Sequence, residues 1–104
     1  MTNKALFIKH IAQPGRRDDL RQVWDKYVRN YVATSDGQPA YFYCYDDNEP
    51  DTILVFQTHA NAASAGEFTR QPWYADYERE SAALTGGKSE YRSATPQWVK
   101  TAAS

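Results

Sequence analysis

Four short runs of strand-forming residues, a long helical pattern after the first and an interrupted one after the third, predict an α+β domain of βαββαβ order. That order is the ferredoxin-like sandwich, here with its second crossover helix split in two. The 104 residues, 1–104, are expected to form a single domain, large enough to bury roughly 65% of the unfolded surface.

The first run, "KALFIKHIA" (Lys4 to Ala12), is rich in strand formers and stopped by "QPG". The period then changes. Leu20, Val23, Trp24, Tyr27, Val28 and Tyr31 recur at helical spacing, with charged residues on the remaining surface, which predicts one amphipathic helix from Arg16 to Ala33. "TSDGQP" ends it. The second and third runs, "AYFYCYDD" (Ala40 to Asp47) and "DTILVFQT" (Asp51 to Thr58), are joined by turn formers and predict a hairpin. "NAASAGEFTR" predicts a short helix, and "WYADYERESAAL" a second one that stops at Gly86, with Pro72 placed in its first turn. "KSEYRSA" predicts the fourth strand, and "TPQWVKTAAS" a tail in which Trp98 serves as an anchor or a subunit contact.

Strand alternation places Tyr41, Tyr43 and Tyr45 on one face, with Phe42 and Cys44 on the other. Phenols suit a surface that is mostly apolar yet must satisfy a few hydroxyls, such as a pocket wall or a subunit contact. Parity alone leaves open whether that face meets the helices or a partner. The first strand splits Leu6, Ile8 and His10 from Ala5, Phe7 and Ile11, and the third splits Leu54 and Phe56 from Ile53 and Val55, so both faces are apolar. Two helices cover one face of a four-stranded sheet. A second copy packed sheet against sheet is the simplest cover for the other, and a homodimer is expected.

Composition removes several function classes. A net charge of −1 with no long basic run disfavours nucleic acid as a partner. The longest apolar stretches, "ALFI" and "ILVF", are far short of a membrane span, and a cytoplasmic location is expected. The single cysteine, Cys44, is expected to be a small buried hydrophobe. His10 and His59 lack ligand spacing, the acidic turn Asp46 to Asp51 lacks the pattern of a calcium loop, and neither a phosphate loop nor an elbow serine occurs. No metal or nucleotide cofactor is therefore expected. What remains is aromatic, with three Trp, eight Tyr and four Phe, a set suited to a concave pocket for a flat aromatic ligand. Trp24, Tyr27 and Tyr31 also fit as plain core. His59 reads either as a strand-end histidine or as a site residue with a tunable proton.

Taken together, "QPGRRDDLRQVW", Tyr41, "DDNEPDTILVFQTH" and "FTRQPWYADYERE" resemble the antibiotic biosynthesis monooxygenase family, nearly ungapped from Gln13 to Glu80. The resemblance implies a dimeric α+β barrel with facing sheets and a cavity between each sheet and its helices. It also implies oxygenation of a small phenolic, anthrone or quinol compound by molecular oxygen, without metal or flavin. On that reading His59 is the proton acceptor or donor and Tyr41 an oxyanion donor, while Phe7, Trp24, Phe68, Trp73 and Tyr77 form the substrate pocket. Strand three of the family usually ends Glu-x-Trp, where this chain has Gln57, Thr58 and His59. A heme-degrading branch carries Asn, Trp and His where this chain has Ile8, Phe68 and Glu78, which disfavours that activity. An isomerase of a small carbonyl compound and a ligand-binding dimer are the alternatives on the same scaffold.

Overall fold

The structure, a computed structural model, describes residues 4–100. Its elements are β1 (Lys4–Ile11), α1 (Arg17–Tyr27), α2 (Arg29–Thr34), β2 (Ala40–Tyr45), β3 (Thr52–His59), α3 (Ala62–Thr69), α4 (Tyr74–Thr85) and β4 (Ser89–Ala94). The strands form one sheet in the order β2-β3-β1-β4, every neighbouring pair antiparallel. This is the ferredoxin-like arrangement, and the second crossover is split as the sequence predicts.

The first crossover differs from expectation. The long helical pattern is divided at Val28, whose φ of −103° departs from the roughly −63° of a regular helix. Hydrogen bonds continue through the site, from Val28 N–H to Trp24 and from Val32 N–H to Val28, so the chain bends without unwinding. Val28 is fully buried, and the bend goes with seating that β-branched side chain in the core. The other helix ends follow sequence rules. The Asn61 side chain accepts from the Ser64 N–H at the start of α3, and Gly86 closes α4 in the left-handed conformation at φ 64°. Pro72 lies just before that helix's cap at Trp73, outside the first turn.

Strand alternation decides the two faces. Ile53 and Val55 join Leu20 and Ala12 in the core, with Ile8, Tyr41, Tyr43, Tyr45 and Leu84 packed against it. The tyrosine stripe of β2 therefore faces the helices: Trp24 stacks on Tyr43 at 4.4 Å, and Tyr45 donates to Asp18 at 2.6 Å. The opposite face carries Phe7 (46% exposed), Phe42 (56%) and Leu54 (40%). Cys44 is also exposed there, contrary to the buried position expected for it, because even-numbered residues of β2 point away from the helices. Among the described residues no helix is long and apolar enough to cross a membrane.

Arg17 fixes the hairpin turn to α1. Its Nη1 reaches the carbonyl oxygens of Asp46 and Glu49 at 3.1 Å and of Thr52 at 3.2 Å, and its guanidinium lies 3.9 Å from the Tyr45 ring centroid. Charge-assisted bonds to partly buried carbonyls are lost together in Arg17→Ala, which is expected to lower stability by about 1–2 kcal/mol. The urea midpoint, read at unchanged slope, measures it.

Candidate functional site

A cavity of about 210 Å³ lies between the helix-facing side of the sheet and α3 with α4. Ile8 and His10 of β1, Tyr41 of β2, Gln57 and His59 of β3, and Tyr91 of β4 form its sheet wall. Phe68 of α3 and Tyr74 and Tyr77 of α4 form the helical wall. The helical side is held by aromatic packing: Phe68 meets Tyr74 at 5.9 Å, and Trp73 meets Phe68 at 5.6 Å and Tyr77 at 6.2 Å. Lys26 and the Tyr27 hydroxyl both engage Glu80, tying α1 to α4.

The sheet register orders the wall from end to end. Tyr41 pairs across β2 and β3 with Gln57, which pairs with Leu6, while His59 stands one step beyond on the same face. His10 is opposite Ile53 and Ser89, and Tyr91 is opposite Ile8. The two imidazoles thus occupy opposite ends of the wall.

Tyr41 and His59 are the polar pair of the first end. Trp24 Nε1 donates to the Tyr41 hydroxyl at 3.1 Å, which leaves the hydroxyl proton free to be given to a ligand. Burial pushes the Tyr41 phenol up to about 12, so it is a donor and not a base at neutral pH. Burial likewise raises Tyr77 well above its ordinary value, Tyr74 to about 12, and Tyr91.

His59 is 6% exposed, and its Nδ1 is 3.5 Å from Gln38 Nε2. Burial lowers its pKa, so the ring is neutral near pH 7. Two proton arrangements fit the Gln38 contact. With Gln38 donating, His59 carries its proton on Nε2 and is itself a donor. With the Gln38 carboxamide turned over, Nδ1–H donates to Oε1 and Nε2 becomes the base. The second arrangement satisfies Gln38 Oε1, which otherwise is buried without a partner among the described residues.

His10 defines the other end. Its Nδ1 is 2.7 Å from Ser89 Oγ, and Tyr91 stands edge-on at 6.1 Å. Desolvation depresses its pKa from 6.5 to about 4. The folded value lies below the unfolded one, so this contribution to stability is full above about pH 6.5 and is lost as pH falls toward 4. The loss amounts to about 3 kcal/mol. In His10→Gln the fall in unfolding free energy between pH 7 and 4, measured by urea titration, should be shallower by that amount.

Of the residues singled out in the sequence, His59, Tyr41, Phe68 and Tyr77 meet at this cavity. Trp24 stands behind Tyr41 and lines a separate groove with Arg29 and Asp36; it reaches the cavity only through its bond to Tyr41. Trp73 packs against Tyr31 and Phe68, behind the wall. Phe7 is not part of the cavity: it lies on the opposite face of the sheet with Leu54 and Phe56, because odd-numbered residues of β1 point away from the helices. Tyr74, Tyr91, Gln57 and His10 complete the site. Among the described residues no three His, Cys, Asp or Glu side chains are grouped to hold a metal ion.

No protein-family model and no curated protein matches the chain. Solved structures do. A protein of Chloroflexus aurantiacus assigned as an antibiotic biosynthesis monooxygenase superposes with a TM-score of 0.77 at 20% identity, covering 95% of this chain and 97% of that one. A protein of Caulobacter crescentus with the same assignment gives 0.80 at 11% identity, covering 89% and 88%. The chain has the antibiotic biosynthesis monooxygenase fold. SnoaB, a cofactor-independent oxygenase from Streptomyces nogalater, shares this fold with a TM-score of 0.79 at 11% identity, covering 93% of this chain and 95% of its own. At these identities the likeness is one of fold, and the chemistry rests on the side chains that line the cavity.

Proposed function

We propose that the protein is a cofactor-independent monooxygenase acting on a small phenolic or quinol-type compound, with molecular oxygen as co-substrate. One observation carries this reading. In a largely apolar cavity, phenols held in their protonated state stand beside a neutral imidazole at His59, and one of them, Tyr41, has its own proton free to donate. The fold shared with SnoaB supports it.

His59 removes a proton from the bound substrate, and the Tyr41 hydroxyl donates to the oxyanion so formed. Exclusion of water by Phe68 and Tyr77 keeps the anion electron-rich. It gives an electron to oxygen, the two radicals combine through a new C–O bond, and the peroxide takes up a proton. The O–O bond then breaks as the remaining hydrogen on that carbon leaves, releasing water and a carbonyl. The net change takes the hydroxyl hydrogen and one ring C–H hydrogen from the substrate and, with dioxygen, yields a quinone and water. In this scheme Trp24 is a positioning residue, since it acts through Tyr41.

The same reading takes the exposed face of the sheet as the interface of a homodimer. Phe42, Phe56 and Phe7 form one cross-strand row that ends at Arg92, with ring centroids 5.9 and 4.9 Å apart. An apolar centre with charged Lys9, Glu90 and Arg92 on the same face suits a self-complementary contact. Oxygen consumption by metal-free and flavin-free protein on quinols and naphthols tests the activity. Substrate conversion that proceeds equally well without oxygen would replace the oxygenase with an isomerase.

A further inference from the structure

Gln57 is 4% exposed, and its side chain lines the cavity. Its Oε1 is buried and has no hydrogen-bond partner among the described residues. A buried acceptor left unmatched costs stability, and a core built only for packing would place a Leu or Val there. The groups around it do not supply the donor. Leu6, its partner on one side, is apolar. Tyr41, its partner on the other, is bonded to Trp24, and its remaining proton makes no bond to Gln57. Phe68, across the cavity, is apolar as well.

We propose that the Gln57 carboxamide oxygen accepts a hydrogen bond from a second, un-ionised hydroxyl of a one- or two-ring aromatic substrate, so that Gln57 selects dihydroxy over monohydroxy compounds. The inference deepens the oxygenase reading and takes the substrate to lie in the same cavity. Cross-strand neighbours on one face have Cβ atoms about 5 Å apart, so Tyr41 and Gln57 address adjacent oxygens of one ring system. Tyr41 donates to the oxygen that becomes anionic, and Gln57 accepts from the hydroxyl beside it. A neutral amide does this without adding negative charge next to the developing anion, which a carboxylate would do. Size sets the upper limit. The cavity, at about 210 Å³, is smaller than the roughly 300–1,000 Å³ pockets that hold drug-sized ligands, which favours one or two fused rings over larger polycycles.

Binding under nitrogen separates this inference from the oxygenase chemistry. Naphthol and the dihydroxynaphthalene with hydroxyls on neighbouring carbons are titrated against native protein and Gln57→Leu, following tryptophan fluorescence. The native protein is expected to bind the dihydroxy compound about 10- to 100-fold more tightly. Gln57→Leu should erase that preference by bringing the affinity for the dihydroxy compound down to about that for naphthol, and should melt at a higher temperature, since the orphaned acceptor is gone. A preference that survives in Gln57→Leu, or native protein that binds neither compound, overturns the inference. A variant that melts lower and binds neither would mark Gln57 as structural and also overturn it. Oxygen uptake on the same pair is read separately. Selective binding without uptake keeps the role of Gln57 and removes the oxygenase, whereas uptake without selectivity does the reverse.

Discussion

Replacing His59 with Ala is expected to lower kcat/KM for quinol oxidation by about a hundredfold or more, the usual contribution of a positioned base. The protein should remain folded, since His59 lies at the end of β3 and its side-chain hydrogen bond, to Gln38, is a long one at 3.5 Å. The pH profile supplies a second readout. Burial lowers the His59 pKa, so the neutral ring persists below the ordinary 6.5 and the acid limb of kcat/KM should fall on the low side of that value. In His59→Ala that limb should vanish along with the rate. Unchanged turnover would remove His59 from the chemistry. His10, the other imidazole of the cavity, is a poorer base, because deeper desolvation holds it at about 4 and Ser89 occupies its Nδ1.

Phe56→Asp is expected to convert a dimer into a monomer. Phe56 is the middle of the Phe42, Phe56, Phe7 row, and a two-fold axis through this face would bury two new carboxylates in an apolar centre. Such a change weakens association by about a thousandfold or more. Sedimentation should show the native chain at twice 11.9 kDa and the variant at 11.9 kDa. The fold should survive, since the helix-facing core of Ile53, Val55 and Leu20 is untouched. Native protein that sediments as a monomer would refute the sheet-to-sheet contact.

The order of elements was legible because strand and helix periods differ and because Pro, Gly and Asn punctuate the chain at the right places. The bend at Val28 was not. It leaves the hydrogen-bond series running and contains neither Pro nor Gly, so the spacing of apolar residues passes through it unchanged. The faces of the sheet were ambiguous for a definite reason. Both carry aromatic residues, and alternation gives sets without saying which set meets the helices. Contacts of Trp24 with Tyr41 and Tyr43 decide it, and the same decision moves Phe7 out of the site. His59 and Tyr41 were visible as a strand-end imidazole and a phenol on a mixed surface. Tyr91 was not, since a short strand reading "SEYRSA" has little apolar pattern and its pairing with β1 comes from a distant part of the chain. Gln57 stood out only as an amide where the family that the chain resembles usually has Glu. Its significance depends on burial without a partner, which no sequence displays.

Oxygen uptake by the purified protein, verified free of metal and flavin, with naphthols, anthrones and quinols and with His59→Ala run in parallel, is the most direct test. Enzyme-dependent uptake is expected on at least one hydroxylated one- or two-ring compound, with a carbonyl product, and the variant should reduce it about a hundredfold. Absence of uptake across the panel, or conversion of substrate that proceeds equally well under nitrogen, would contradict it.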